Sequence, residues 1–247
     1  MENELIKQAR ARLIFPLDVS SLREAQKWVK ALAQEVGVFK VGLELFVAEG
    51  PDVFQMIRDE SEADIFLDLK FHDIPHTMKR AAWRASVHGV DILTVHMLAG
   101  RKAVKGCVEV VEGGTQVFGV TILTSHTRAE LMEIGYAPEL CRDLKSAVMR
   151  LAGLAYRVGC HGVVCSAREV STVKEAFPLL RTIVPGIRPE WASSPQDQVR
   201  VATPQEALLA GADYLVIGRP IREAQDPLEA AQRIIQEMAQ ALKEIET

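Results

Sequence analysis

The sequence predicts an α/β protein, a single (β/α)8 TIM barrel that spans residues 1–247. Eight short apolar runs alternate with longer segments of helical periodicity, and no linker or composition break divides them. Each run is apolar on both faces, as expected for parallel strands covered by helices. An open doubly wound sheet is the alternative, but its first turn would be rich in glycine, and here that turn reads DVSSLRE.

The predicted strands are defined by their apolar and β-branched residues. In chain order they are RLIFPLD ending at Asp18, VFKVGLE around Lys40, DIFLDLKF from Asp64 to Phe71, VDILTVHM ending at Met97, TQVFGVTILTS ending at Ser125, GVVCSA around Cys165, RTIVPGI ending at Ile187 and DYLVIGRPI ending at Ile221.

Between the strands, apolar residues recur at helical spacing. Ser20 or Ser21 is expected to cap the helix with the stripe Leu22, Ala25, Trp28, Val29 and Leu32. The last helix is expected to begin near Pro227, with the stripe Leu228, Ala231, Ile234, Ile235, Met238 and Leu242. Four glycines just before strands are expected to end helices in the left-handed conformation, namely Gly37, Gly89, Gly159 and Gly211.

Composition excludes several classes of protein. With 29 basic and 33 acidic residues the net charge is −4, which argues against nucleic acid as the main partner. No apolar run approaches the roughly 20 residues of a membrane helix, and the start MENELIKQAR has no secretion signal, so we expect a cytoplasmic protein without a membrane partner. The cysteines match no paired zinc spacing and are expected to be reduced thiols: Cys107, Cys141, Cys160 and Cys165.

Chemistry in such a barrel is expected at the carboxyl ends of the strands. The polar residues at the predicted ends are Asp18, Lys40, Asp68, Lys70, His96, Thr124, Ser125, Arg188 and Arg219.

The strongest anomaly among them is the charged third strand. Asp68 and Lys70 are two residues apart, so their side chains are expected on one face, and Asp73 follows in a loop before Pro75. A structural ion pair at the barrel mouth is one interpretation. A functional array of alternating charges is favoured because Asp18 and Lys40 occupy comparable positions on neighbouring strands.

The same pattern indicates the role of Lys70. A lysine that forms a Schiff base works as a neutral amine, whereas neighbouring carboxylates favour the charged ammonium. We therefore expect Lys70 to be a general acid. His72 and His76 are expected to be loop histidines that bind no metal, and His96 is either a site residue or a hydrogen-bonded rim residue.

The last two strands indicate a phosphate site. Gly186 and Gly218 would allow close approach of a ligand to the backbone, and Arg188 and Arg219 follow at comparable places. The segment RPEWASSPQDQVRVATP between them is either a mobile lid, from which Gln198 would reach the ligand, or a passive surface loop.

These residues carry a resemblance to a known family. The block DLKFHDIPHT, together with LDVSS, FKVG, VTILTS, GVVCSA, VPGIRP and YLVIGRPI, resembles the orotidine 5′-phosphate decarboxylases from residue 12 to residue 225. The D-x-K-x-x-D-I-P-x-T block is highly specific, whereas the phosphate pieces are shared more widely. The resemblance implies decarboxylation of orotidine 5′-monophosphate to uridine 5′-monophosphate in pyrimidine synthesis, by a homodimer without metal or organic cofactor.

The resemblance also implies a role for each site residue. Lys70 would protonate C6 of the pyrimidine, Asp68 would lie against the substrate carboxylate, and Asp73 with Thr77 would reach in from the partner subunit. Asp18 and Lys40 would hold the ribose hydroxyls and extend the charge array. Ser125 and Thr124 would hold the pyrimidine. The phosphate would be held by Arg188, Gln198, Gly218 and Arg219. Compared with the pattern of that family, this sequence carries one extra residue between Arg188 and Gln198.

Two other functions remain open. Related sugar-phosphate barrel enzymes, the 3-keto-gulonate 6-phosphate decarboxylases and hexulose-phosphate synthases, share the Asp-x-Lys-x-x-Asp array but use magnesium to stabilise an enediolate. The continuation into IPHT and the LTS after the fifth strand favour the pyrimidine substrate. A non-catalytic sensor of phosphoribosyl ligands would not need Lys70 between two carboxylates.

Overall fold

A computed structural model of the chain describes residues 2–192 and 202–246. Its eight parallel strands pair in chain order, and the first pairs with the last to close a barrel. The strands are β1 (Leu13–Pro16), β2 (Val38–Val41), β3 (Asp64–Phe71), β4 (Ile92–His96), β5 (Gln116–Val120), β6 (Gly162–Val164), β7 (Arg181–Val184) and β8 (Tyr214–Val216). The predicted (β/α)8 barrel is thus confirmed.

Helices follow the strands around the barrel. They are α1 (Glu2–Arg12), α2 (Leu22–Leu32), α3 (Leu43–Glu49), α4 (Asp52–Glu60), α5 (Pro75–Val87), α6 (Arg101–Val108), α7 (Arg128–Glu133), α8 (Pro138–Arg142), α9 (Leu144–Val158), α10 (Ala167–Ala176), α11 (Pro204–Leu209), α12 (Arg219–Arg222) and α13 (Pro227–Glu246). Within these ranges no helix is long and apolar enough to cross a membrane.

Two predicted helices show how the sequence sets their ends. The Ser21 side chain accepts a hydrogen bond of 3.3 Å from the backbone N–H of Glu24 and so caps α2. Its predicted stripe is buried at Ala25, Val29 and Leu32 and half-buried at Leu22 and Trp28. Helix α13 begins at Pro227, as predicted. Leu228 is an exception to its stripe: it lies in the first turn, before the buried face begins at Ala230, and is 43% exposed.

The interior of the barrel is filled by apolar side chains. Inward-facing residues of six strands form a buried cluster of Ile14, Val38, Phe66, Ile92, Phe118 and Ile183, against which Val164, Tyr214 and Val216 pack. On β3, Phe66 belongs to this cluster, while Ile65 and Leu67 belong to the core between strands and helices. Side chains therefore alternate along this part of β3 between the barrel interior and the core that faces the helices. The packed interior forms a floor beneath the carboxyl ends of the strands.

Several strands end earlier than predicted, so the polar residues lie in turns that follow the ladder. Strand β1 ends at Pro16, β5 at Val120, and β7 at Val184. Pro185 has no N–H to continue the ladder after β7. After β8, Gly218 adopts a right-handed helical conformation and α12 begins at once.

Three of the four glycines predicted to be left-handed have positive φ: 75° at Gly89, 83° at Gly159 and 98° at Gly211. The prediction is wrong for Gly37, whose role is close packing. A Cβ there would lie 2.5 Å from the carbonyl oxygen of Arg10, to which the Gly37 N–H donates a hydrogen bond. Any larger residue would push the end of α1 away from the barrel.

The four cysteines are buried and free, as expected. Burial raises the pKa of Cys107 and of Cys160 to about 12, and it also raises the pKa of Cys165. These thiols stay protonated near neutral pH and act as small apolar side chains.

Candidate active site

A cavity of about 190 Å³ lies among the carboxyl ends of the strands. Its charged side is formed by Lys40 of β2 and by Asp68 and Lys70 of β3. Its other lining residues are mainly apolar: Phe66, Val120, Ile122, Leu123, Thr124, Val164, Cys165, Ile183, Pro185 and Val216. An apolar surround of this kind strengthens the field of the fixed charges, because apolar side chains screen charge less than water does.

The charges form a continuous chain. Lys70 Nζ lies 2.9 Å from Asp68 Oδ2, and Lys40 Nζ lies 3.7 Å from the same oxygen. Lys40 Nζ also donates a hydrogen bond of 3.2 Å to Asp18 Oδ1. The side chains of Lys40 and Asp68 are only 12% and 13% exposed, whereas Asp18 is 47% exposed at the outer end. Opposite charges thus alternate from the rim into the cavity.

The backbone at Lys70 departs from the regular strand that the sequence predicts. Pairing between β3 and β4 shifts register between Leu67 and Phe71, and Lys70 has a φ of 51°. Among the residues described, Lys70 is the only non-glycine with positive φ. Such backbone is unfavourable for a residue with a Cβ and is held in place by its surroundings. The bulge nevertheless keeps the side chains of Lys70 and Asp68 in direct contact.

Thr94 of β4 lies beneath this bulge and is fully buried. Its hydroxyl accepts a hydrogen bond of 3.0 Å from the backbone N–H of Lys70 and donates one of 3.0 Å to Asp68 Oδ1. Thr94 is not among the site residues predicted from the sequence. The available signal was a hydroxyl in the apolar run DILTVH, two residues before His96 and therefore on the same face of the strand.

Two histidines stack beside the charged strand. The rings of His72 and His96 are 5.4 Å apart and 21° from parallel. Burial, then the charges of His72, His126 and Lys70, lower the pKa of His96 to about 4. His96 Nδ1 accepts a hydrogen bond of 3.3 Å from the backbone N–H of Leu98, so it also fits the predicted rim residue.

His76 does not lie in a loop as expected. It lies in the first turn of α5, because Pro75 begins that helix rather than interrupting it. No group of three His, Cys, Asp or Glu in residues 2–192 and 202–246 is arranged to hold a metal ion.

Asp73 and Thr77 are exposed and do not line the cavity of their own chain. Asp73 lies in the loop after β3, where Oδ1 accepts a hydrogen bond of 2.6 Å from the backbone N–H of Ile74. Thr77 lies in the first turn of α5. The cavity of one chain is therefore lined without these two residues.

Thr124 and Ser125 lie in a turn after β5. Thr124 lines the cavity, and the neighbouring Ser125 is exposed beside it.

The two predicted arginines follow neighbouring strands, Arg188 after β7 and Arg219 at the start of α12 after β8. Arg188 is buried, and its backbone N–H donates a hydrogen bond of 2.9 Å to the carbonyl oxygen of Ala202. Burial, and then the charge of Arg219, lower the pKa of Arg188, while Glu223 opposes this effect. Two guanidinium groups held near each other favour an anion between them. Gln198, predicted to reach the same ligand, lies outside the described residues.

Gly186 and Gly218 are explained by different structural requirements. Gly186 has a φ of 77°, a backbone conformation that favours glycine. At Gly218 a Cβ would lie 2.7 Å from Cγ of Pro16, so the glycine is explained by packing against β1. Arg222, which the sequence analysis missed, places Nη1 3.8 Å from Asp18 Oδ2 and thus links α12 to the charge array.

Comparison of the chain with known proteins identifies its family. The model of the orotidine 5′-phosphate decarboxylase / HUMPS family matches residues 11–234. The chain belongs to this family. Membership of the decarboxylase family was predicted and is confirmed.

Named relatives agree over nearly the whole chain. A protein of Syntrophotalea carbinolica named orotidine 5′-phosphate decarboxylase is 47% identical and covers 97% of this chain and 100% of its own length. One of the same name from Geobacter sulfurreducens is 43% identical and covers 94% of this chain and 97% of its own. The crystal structure of orotidine 5′-phosphate decarboxylase from Lactobacillus acidophilus matches with a TM-score of 0.78 and 32% identity, and covers 92% of this chain and 98% of its own.

Proposed function

We propose that this chain converts orotidine 5′-monophosphate to uridine 5′-monophosphate and carbon dioxide, with Lys70 as the proton donor. The observation that carries the proposal is the contact of 2.9 Å between Lys70 Nζ and Asp68 Oδ2 at the wall of a small, mainly apolar cavity. The names of the relatives support the choice of substrate.

In the proposed reaction the bond between C6 and the carboxylate breaks and its electron pair stays on C6. Lys70 donates a proton to C6, carbon dioxide leaves, and a proton from solvent restores the ammonium. Lys70 and Lys40 place positive charge where negative charge develops, and Asp68 lies against the departing carboxylate. Each interaction favours the transition state over the bound substrate, which is the requirement for catalysis. In this proposal the charge array needs neither a metal ion nor an organic cofactor.

The remaining parts of the nucleotide are assigned along the charge chain. Asp18 and Lys40 are proposed to hold the ribose hydroxyls, since their contact lies at the rim of the cavity. The pyrimidine edge is assigned to Thr124 and Ser125, in the turn beside the cavity. The phosphate is assigned to Arg188, Arg219, the backbone of Gly218 and Gln198.

The proposed functional unit is a cytoplasmic homodimer in which Asp73 and Thr77 complete the partner's site. Their exposure, together with their absence from the cavity of their own chain, supports this arrangement. The free, buried thiols are compatible with a reducing compartment.

Mixing two inactive variants tests the shared site. The two proteins, Lys70→Ala and Asp73→Asn, are unfolded and refolded together. We expect about a quarter of wild-type turnover to return, because about half of the dimers are mixed and each mixed dimer has one intact site out of two. Turnover that stays at the level of the separate variants would show that each subunit uses its own Asp73. The control mixes Lys70→Ala with the double variant Lys70→Ala/Asp73→Asn, which can form no intact site.

The proposed reaction is tested by the change in absorbance of orotidine 5′-monophosphate, followed with and without a chelator. We expect turnover by the dialysed protein and the same rate in the chelator, because the proton donor and the fixed charges belong to the chain. A rate that chelation abolishes and magnesium restores would contradict the cofactor-free mechanism. Turnover of 3-keto-gulonate 6-phosphate in its place would favour the sugar-phosphate relatives, and nucleotide binding without turnover would favour a sensor.

A further inference from the structure

We infer that Thr94 is a positioning residue that sets the geometry of the proton donor, an inference that rests on the proposed function. Thr94 is fully buried on β4 and does not line the cavity. It can therefore influence a bound substrate only through the residues that it contacts. Its hydroxyl contacts both members of the Asp68–Lys70 pair, one through the side chain and the other through the backbone.

The first contact fixes the carboxylate. Asp68 Oδ1 accepts the Thr94 hydroxyl at 3.0 Å, and this leaves Oδ2 turned toward Lys70 Nζ at 2.9 Å and Lys40 Nζ at 3.7 Å. Without the hydroxyl, the carboxylate would be free to rotate about its Cβ–Cγ bond. Both ammonium groups would then lose their shared, fixed partner.

The second contact fixes the backbone from which Lys70 extends. The β3–β4 ladder shifts register at this point, and the Lys70 N–H donates to Thr94 Oγ1 at 3.0 Å. A hydroxyl can accept one hydrogen bond and donate another at the same time, so a single atom satisfies both demands. The hydrogen bond to this buried residue on the neighbouring strand thereby holds the backbone of Lys70 in its positive-φ conformation.

Catalysis is more sensitive to such positioning than binding is, because a displacement of about 1 Å can reduce rates by about 10²-fold. Thr94→Val keeps the shape and removes the hydroxyl. We expect kcat to fall by roughly 10- to 100-fold, while the affinity for uridine 5′-monophosphate changes by less than about threefold because the phosphate contacts remain. Thr94→Ser restores the hydroxyl and is expected to recover most of the lost kcat.

The matched control is Thr115→Val, at the opposite end of the barrel. Thr115 is also buried, and its hydroxyl donates to the Val90 carbonyl oxygen at 2.6 Å just before β5 begins. It is expected to lower thermal stability without lowering kcat. A wild-type kcat in Thr94→Val, or an equal loss in Thr94→Val and Thr94→Ser, would overturn the inference.

A wild-type protein with no activity toward orotidine 5′-monophosphate would contradict the proposed function instead. In that case a crystal structure of Thr94→Val still decides the inference. A rotated Asp68 carboxylate or a Lys70 that has left the left-handed region supports it, and an unchanged Asp68–Lys70 pair refutes it.

Discussion

Replacing Lys70 with alanine is expected to abolish turnover while nucleotide binding survives. In the proposed mechanism the ammonium supplies both the proton and the positive charge beside the carbon that becomes anionic. Loss of a positioned proton donor alone lowers rates by about 10²–10⁴-fold. Uridine 5′-monophosphate lacks the departing carboxylate, and the proposed contacts hold it mainly at its ribose and phosphate. Its dissociation constant, measured by calorimetry, is expected to stay within about tenfold of wild type.

The control for this variant is Lys30→Ala. Lys30 lies on α2, is well exposed, and places Nζ 3.2 Å from Glu60 Oε1, outside the cavity. An exposed ion pair of this kind contributes little to stability, so wild-type kinetics are expected. Substantial turnover by Lys70→Ala, with Lys30→Ala also active, would show that Lys70 is not the proton donor.

Arg219→Ala is expected to reduce kcat/KM by about 10- to 100-fold, the range that corresponds to a lost hydrogen bond to a charged group. Arg219 begins α12 directly after β8, and the buried Arg188 follows the neighbouring strand β7, which is the reason to assign an anion to this end of the barrel. The affinity for uridine, which has no phosphate, is expected to be unchanged. Comparing dissociation constants for the nucleotide and the nucleoside therefore separates a phosphate contact from general damage.

An arginine on α9, Arg150, offers the matched control because it is exposed and lies outside the cavity. Arg150→Ala is expected to bind both compounds like the wild type. Equal weakening of nucleotide and nucleoside by Arg219→Ala would count against a phosphate role, and an unchanged kcat/KM would exclude it.

The barrel and much of the charge array follow from patterns that a single chain displays. Alternation along DIFLDLKF placed Phe66 inside and Ile65 outside, and the spacing of Asp68 and Lys70 placed them together. These features depend only on the period of a strand and on the burial of its apolar face.

What the sequence could not predict depends on register between strands. Neither the positive φ of Lys70 nor the bridge from Thr94 has a local signature, because both arise where the β3–β4 ladder shifts. The reason for Gly218 likewise lies on another strand, at Pro16. In the proposed dimer Asp73 and Thr77 act in the partner's site, and the spacing of residues along one chain contains no information about a second subunit.

The backbone of Lys70 has a consequence for attempts to engineer the protein. A left-handed residue with a side chain is less stable than glycine at the same position by about 1–2 kcal/mol, so the backbone by itself favours glycine at position 70. Glycine there would also leave the nearly buried Asp68 without the ammonium that lies 2.9 Å away, which opposes this gain. In the proposed mechanism the variant has no proton donor, so any consensus or directed-evolution scheme that relaxes this backbone has to select for turnover at every round.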